Sequence, residues 1–358
     1  MSALTIQEVS PSAESNLTFR TLTNNEAMLE KELPIGHIMV EFLASAINPQ
    51  DLLVMQGKYP VKPSYQVDGA MVVGYDGVAR VTRVGSGAEL SVGDLVIPAE
   101  HGLGTWRTHA VVRSCDLTRI PPGIDPCAAA ILRMGVSPAY LILEDMAHLL
   151  PGDWIIQNAA SGVIAQMVVQ FAKLKGANVV SIIRPHNTEE ETNKLKRVLE
   201  ENGSNIVLDE KELDVCGGKV LKDLRITLAL DAVFGRAGST LTKFLVAGAT
   251  FVNYGSLGED AQQGLMVTQE ALFWKRITFK NFRLSDSLKQ RSSNEIKDML
   301  SWFVDLFARG LLKLPYMKRV EWDPRSLDLE NTLKRAVFRA ESKQAGIARK
   351  QVFVFRSD

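Results

Sequence analysis

Arg184 and His186 are the side chains of this 358-residue sequence best suited to hold a phosphate, because of what precedes them. Trp154-Ile155-Ile156-Gln157 is a short apolar run that leads into the small residues Asn158-Ala159-Ala160-Ser161-Gly162. Beyond Gly162, the residues Val163, Ile164, Met167, Val168, Phe171, Ala172 and Leu174 recur at three- and four-residue spacing, which predicts a helix with one buried face. Gly176 ends that helix, and Asn178 to Ile183 reads as a second strand. A strand-helix-strand unit of this size lays its strands side by side and aims the helix N-terminus, with its unsatisfied amides, at a crevice that attracts phosphate. In dinucleotide folds an acidic residue about twenty positions after the glycine turn bonds the ribose of NAD, whereas a basic one accommodates the 2′-phosphate of NADP. Arg184 stands there, with no carboxylate before Glu189, so the cofactor reads as NADPH. Only Gly162 of a Gly-x-Gly-x-x-Gly pattern is present, and a flavodoxin-like or other parallel α/β unit without a nucleotide fits the same residues.

Other chemistries are thinly supplied. Cys115, Cys127 and Cys216 are isolated thiols, which argues for a reducing compartment and against a disulfide framework or a Cys-rich zinc lobe. His101 and His109 have no thiol beside them, so no zinc is expected. Lys plus Arg and Asp plus Glu each total 41, so no long-range charge draws the chain to nucleic acid or an anionic membrane. An apolar content of 46% and a charged content of 23% are those of a globular protein, and no apolar run is long enough to span a bilayer. The first residues lack the charged start and apolar core of a secretory signal, and Glu8 and Glu14 precede the first arginine, Arg20, a poor match to a mitochondrial presequence.

These residues need a scaffold, and the length suggests two domains. From Leu4 to about Ile120, short apolar runs punctuated by Gly and Pro predict a β-rich, barrel-like unit, with strands over His37 to Ile47, Asp76 to Val84, Leu95 to Pro98 and His109 to Val112. Pro126 to Asp145 reads as helical, with Pro138 able to begin a second helix. After His186 comes a charged surface helix from Glu189 to Asn202, then strands at Asn205 to Leu208 and Leu228 to Val233. A helix over Ser239 to Val246 follows, with further strands at Ala249 to Tyr254 and Thr278 to Phe282. Six strands alternating with helices make a doubly wound sheet. A helix from Asn294 to Arg309 leaves that sheet, and a closing strand lies between Arg349 and Arg356.

Several phrases in this arrangement carry a family likeness: Ile47-Asn48-Pro49-Gln50-Asp51, Gln56-Gly57-Lys58-Tyr59, Gly102-Leu103-Gly104-Thr105-Trp106-Arg107-Thr108 and Trp154-Ile155-Ile156-Gln157-Asn158-Ala159. With Leu228-Ala229-Leu230 and Tyr254-Gly255, they span nearly the whole chain. The sequence resembles the mitochondrial trans-2-enoyl thioester reductases of the medium-chain dehydrogenase/reductase superfamily, which reduce enoyl-CoA or enoyl-acyl-carrier-protein with NADPH. The resemblance implies a GroES-like catalytic domain over residues 1–138, a Rossmann domain over 139–309 and a return to the first over 310–358. It also implies a homodimer and a mitochondrial location, a cytoplasmic one being the alternative. Where zinc-dependent members of the superfamily carry Gly-His-Glu, this chain has Gly74-Tyr75-Asp76, and tyrosine is a poor zinc ligand.

Reduction of a conjugated thioester without metal needs a hydride at Cβ, stabilisation of the enolate and a proton for Cα. A tyrosine hydroxyl suits the last two tasks, and by resemblance that residue is Tyr59. Trp106 is expected either to wall the substrate pocket or to anchor the barrel, Lys58, Lys62 and Arg107 are candidates for phosphate contacts, and Asp51 suits a helix cap. For NADPH the likeness points to Ser137, to Ser161, Gly162, Val163 and Ile164, and to Arg184 and His186. It adds Tyr254, Gly255, Ser256 and Leu257, then Phe282, Arg283 and Leu284, and Lys350 near the C-terminus. Ser137 replaces the family's Asn after Gly-Val, and Arg184-Pro185-His186 replaces Arg-Asp-Arg, which exchanges a guanidinium for a mostly neutral imidazole. A zinc-free quinone or alkenal reductase, or a diverged NADPH-binding protein without catalysis, are the other functions these residues allow.

Overall fold

The computed structural model describes residues 1–10, 16–21, 32–258, 264–342 and 350–356. Glu14 and Arg349, the latter the expected start of the closing strand, lie outside the described residues. The chain forms two compact units, one of residues 1–133 and 293–358, the other of 134–292. The second crossing therefore falls earlier than the expected 309. The helix Ser293–Ala308 packs against the strand Leu117–Ile120 and belongs to the first unit, a long-range contact that local periodicity does not report.

In the first unit a seven-stranded sheet is centred on His37–Ala46. That strand pairs antiparallel with Gly77–Val84, with His109–Arg113 and with the closing strand Gln351–Phe355, which in turn runs parallel to Lys318–Trp322. Register shifts after Met39 and Phe42 bend it, as bulges do, so that it can serve several partners. Ser2–Ile6 is a fully buried strand of a smaller four-stranded sheet, held by Ser2 N–H to Thr108 Oγ1 and by Trp322 Nε1–H to Ser2 Oγ. The helix Leu329–Glu341 covers the core with Leu333, Ala336 and Val337, and neither it nor Lys318–Trp322 is anticipated from the sequence.

In the second unit six parallel strands run Trp154–Gln157, Asn178–Ile183, Ile206–Asp209, Ile226–Asp231, Thr250–Asn253 and Thr278–Asn281. Numbered in chain order they lie 3-2-1-4-5-6, the doubly wound arrangement whose direction reverses between the first and fourth strands. The helix Val163–Leu174 follows the first strand as the periodicity predicts. The helix Gly235–Thr242, after the fourth strand, starts earlier than the expected Ser239. The helix Glu210–Val220 is not expected, because Gly217 and Gly218 weaken its propensity. A reciprocal cap starts it: Asp209 Oδ1 accepts from Lys211 and Glu212 N–H, and Glu212 Oε2 accepts from Asp209 N–H. The helical stretch from Pro126 is broken as well, with a π-helical turn at Leu132–Val136 just before Pro138, whose ring and missing N–H disfavour a regular turn there.

Candidate active site

The candidate residues fall into two groups, one in each unit. In the second unit Ser161 to Ile164, Arg184 to His186, Tyr254 to Leu257 and Phe282 to Leu284 all follow the carboxyl ends of parallel strands, at the edge where ligands of such sheets bind. Ser137 is buried at the start of a different helix, Ser137–Asp145, which meets Val163–Leu174 through the Tyr140 and Phe171 rings.

The strand ends are tied by a polar network that sequence reasoning missed. Asn158 Nδ2 donates to Asp231 Oδ1 at 2.6 Å, and Asn158 Oδ1 accepts from Ala232 N–H at 2.8 Å. Asp231 also accepts from the Val233 and Phe234 amides and, at 2.9 Å, from Asn253 Nδ2. One buried carboxylate thus fixes the loops that follow the first, fourth and fifth strands. Burial and the charge of Asp231 raise the Tyr254 phenol well above its ordinary range, so it stays neutral. The position of Asp231 at a strand end is the signal that would have found it.

The chain at this edge fits a dinucleotide. The first-turn amides of a twelve-residue helix begin at Val163, after Gly162, which makes no side-chain cap. His186 Nε2 is buried with no hydrogen-bond partner among the described residues. At Gly258 a Cβ would lie 2.7 Å from the carbonyl oxygen of Val233, so only glycine permits that close approach of loops.

In the first unit Tyr59 ends a chain reversal set by the helix Pro49–Met55. Gly57, at φ +69°, turns the chain, with its amide bonded to Val54 O and that of Lys58 to Leu53 O. Gln56 Nε2 donates to Glu341 Oε1 at 2.7 Å, fixing the reversal to the helix Leu329–Glu341. The Tyr59 ring lies 6.3 Å from those of Tyr75 and His101, which are 5.8 Å from each other. Tyr75 donates its hydroxyl to Val61 O at 2.5 Å. Among the described residues no group of three or more His, Cys, Asp or Glu is placed to hold a metal.

Arg133, another residue the sequence did not single out, is 5% exposed and donates from Nε to Ala99 O. Its terminal nitrogens lie 3.5 Å from His101 Nδ1. Burial, then Arg133, pushes His101 down to about 4, so the imidazole is neutral at pH 7 and its Nδ1 is the acceptor. Tyr59 is within the field of this buried guanidinium. A tyrosine held among aromatic rings with a fixed cation nearby is suited to donate a proton or hydrogen bond toward developing negative charge.

Lys350 belongs to this unit too. Its ammonium donates to Ile47 O at 2.9 Å and to Asn48 Oδ1 at 2.6 Å, while Asn48 N–H donates to Asp51 Oδ2 at 2.7 Å. Asp51 thus caps the helix that leads to Tyr59. For Trp106 one of the two alternatives is favoured, and for Arg107 the expectation changes. Trp106 is 0% exposed, with Nε1–H toward Ala46 O and its ring perpendicular to Phe353 at 5.5 Å, which makes it a core anchor and not a pocket wall. Arg107 is no surface phosphate contact: it is buried, donates to Leu103 O and stacks its guanidinium 5.1 Å from the Tyr65 ring centroid. Lys58 and Lys62 are exposed.

Residues 34–122 match the alcohol dehydrogenase GroES-like domain. That domain and a 3-2-1-4-5-6 dinucleotide sheet in one chain define a medium-chain dehydrogenase/reductase. The sequence is 35% identical over 288 residues to the mitochondrial enoyl-[acyl-carrier-protein] reductase of Bos taurus, covering 80% of this chain and 74% of that one. The chain belongs to the enoyl-[acyl-carrier-protein] reductase family. Its fold is shared with Etr1p in complex with NADP and crotonyl-CoA (TM-score 0.83, 24% identity, 99% of both chains). The Etr1p/Etr2p heterodimer of Candida tropicalis, a mitochondrial 2-enoyl thioester reductase, gives a TM-score of 0.84 at 24% identity over 99% of both chains.

Proposed function

We propose that this protein reduces trans-2-enoyl thioesters, on CoA or acyl-carrier protein, to acyl thioesters with NADPH, the last reductive step of fatty acid synthesis. The observation that carries this reading is the Gln56-Gly57-Lys58-Tyr59 reversal, which holds a tyrosine among Tyr75, His101 and the buried Arg133 in a chain of this family. When bound, NADPH supplies the hydride for Cβ. The amides of Val163 and Ile164 hold the pyrophosphate, Arg184 and His186 the 2′-phosphate, and the loops at Tyr254 to Leu257 and Phe282 to Leu284 the nicotinamide end. The Tyr59 hydroxyl donates to the charge that develops on the thioester oxygen and is the proton source for Cα. Arg133 favours that charge by its field, and neutral His101 holds Arg133 in place. Purified protein is expected to oxidise NADPH with crotonyl-CoA faster than with a free enone or quinone, and faster than it oxidises NADH. A preference for the quinone would assign it to the other branch of the superfamily, and no oxidation with any acceptor would leave a binding protein.

We also place the protein in mitochondria, by kinship with relatives named for that compartment, which fractionation of cells expressing it would check. The partner we favour is a second copy of this chain. Thr278–Asn281 is the last strand of its sheet, and Leu272, Phe273 and Trp274, just before it, are 61%, 65% and 68% exposed. An open strand edge beside exposed large apolar side chains is what an isologous sheet-to-sheet contact requires. The double substitution Phe273→Glu, Trp274→Glu is expected to give a monomer by light scattering. A dimer unaffected by it would place the contact elsewhere.

A further inference from the structure

A 2′-phosphate carries nearly two negative charges, and at the end of the second strand Arg184 is a single permanent cation beside a histidine. The structure turns a second arginine toward the same carboxylate, Glu210, from the start of a different helix. Ile183 and Asp209 are register partners on adjacent parallel strands, so the residues after them, Arg184 and Glu210, leave the sheet side by side. Glu210 opens the helix Glu210–Val220, and Asp214, four residues on, shares its face. Asp214 Oδ2 accepts from Arg236 at 3.3 Å, and Arg236 is the second residue of the helix Gly235–Thr242, which follows the fourth strand. Arg184, Glu210, Asp214 and Arg236 are therefore linked in turn, by strand register, by a shared helix face and by an ion pair. Partial burial raises the Glu210 carboxyl above its ordinary range; Arg184 opposes that rise, as does Arg236, while Asp214 and Asp209 add to it. Both guanidinia thus act on the same group.

The Arg236 side chain is 83% exposed and its one ion pair among the described residues is with a carboxylate that is itself 47% exposed, an attachment of the kind worth little in water. A phosphate accepting two parallel N–H bonds competes well with such a partner. We propose that Arg236 is a specificity residue for the cofactor, supplying the second guanidinium that grips the 2′-phosphate together with Arg184. This rests on the NADPH reading above.

The test needs no turnover. Wild-type protein and the Arg236→Ala and Arg236→Lys variants are titrated by calorimetry with 2′,5′-ADP, which carries the phosphate in question, and with 5′-AMP, which lacks it. Wild type is expected to favour 2′,5′-ADP. Arg236→Ala should lose about tenfold or more in affinity for 2′,5′-ADP, about 1.4 kcal/mol, with 5′-AMP binding unchanged. Arg236→Lys should keep part of the difference. Unchanged 2′,5′-ADP binding by Arg236→Ala, or equal loss for both probes, overturns the proposal while leaving NADPH as cofactor. A wild-type protein with no preference for 2′,5′-ADP over 5′-AMP removes the NADPH reading itself.

Discussion

Tyr59→Phe is expected to lower kcat for crotonyl-CoA by about a hundred- to ten-thousand-fold, the range for losing a positioned acid. The substitution removes one oxygen and keeps the ring, so the contacts with Tyr75 and His101 survive. Neither the Gly57 turn nor the bond from Gln56 to Glu341 depends on the hydroxyl. Affinity for 2′,5′-ADP should therefore match the wild type, and KM should move far less than kcat, the pattern of an interaction made mainly in the transition state. A variant with wild-type kcat would show that the proton and the enolate stabilisation come from elsewhere, even if the activity itself were as proposed.

Lys350→Met is expected to destabilise the fold by about 3 kcal/mol at pH 8, read from chemical unfolding. Ile47 O and Asn48 Oδ1 lose their donor, and buried Asp51 loses the cation that favours its charged form. The deficit should depend on pH, and its sign follows from Asp51. Burial is the largest influence on that carboxyl and raises it to about 7, against the lowering effects of the Asn48 amide and Lys350. A carboxyl whose folded pKa is raised binds its proton more readily in the folded chain, so its contribution to stability declines as pH rises from about 4 to 7. Without Lys350 the carboxyl shifts further up and the decline extends past 7. Lys350 itself is lowered to about 8, by burial first, so below that pH it is a buried cation and its removal relieves part of the cost. The deficit should be smallest near pH 5, where Asp51 is protonated in the folded chain, and largest near pH 8. A pH-independent deficit would mean that Asp51 and Lys350 do not titrate together. Because Asn48 and Asp51 begin the helix that ends at the Tyr59 reversal, kcat should fall as well.

What the sequence made legible was local. The unit from Trp154 to Ile183 could be read because its apolar period switches from strand to helix and back within one window, and the structure places those elements as expected. Arg184 could be singled out because its meaning depends only on its position after a strand. Contacts between distant residues could not be read this way. Lys350 meets Asn48 across 302 positions, Asn158 meets Asp231 across 73, and no periodicity links them. The Tyr75, His101 and Arg133 cluster around Tyr59 is of the same kind, built by a turn, a loop and a helix end. Trp106 shows the converse limit: a large aromatic between glycines and a strand suits a pocket wall or a core equally well by composition, and only its complete burial against Phe353 decides. The helix Glu210–Val220 was hidden by Gly217-Gly218 because intrinsic propensity is a weak guide beside a strong cap and the packing of Gly217 against the Phe244 ring.

The pairing of Gln351–Phe355 with His37–Ala46 sets an order in time as well as in space. A chain emerging from the ribosome has all six strands of the dinucleotide sheet once Asn281 is made, and that sheet can close on its own residues. The catalytic sheet cannot: its central strand waits for a neighbour more than three hundred positions later, with Val352 opposite Ala46. Until then the apolar face that Phe353 and Phe355 will cover is open, and so is the strand edge at Ala44 to Ala46. The half of the molecule that carries Tyr59 is thus the last to be completed and the longest exposed to mispairing during synthesis.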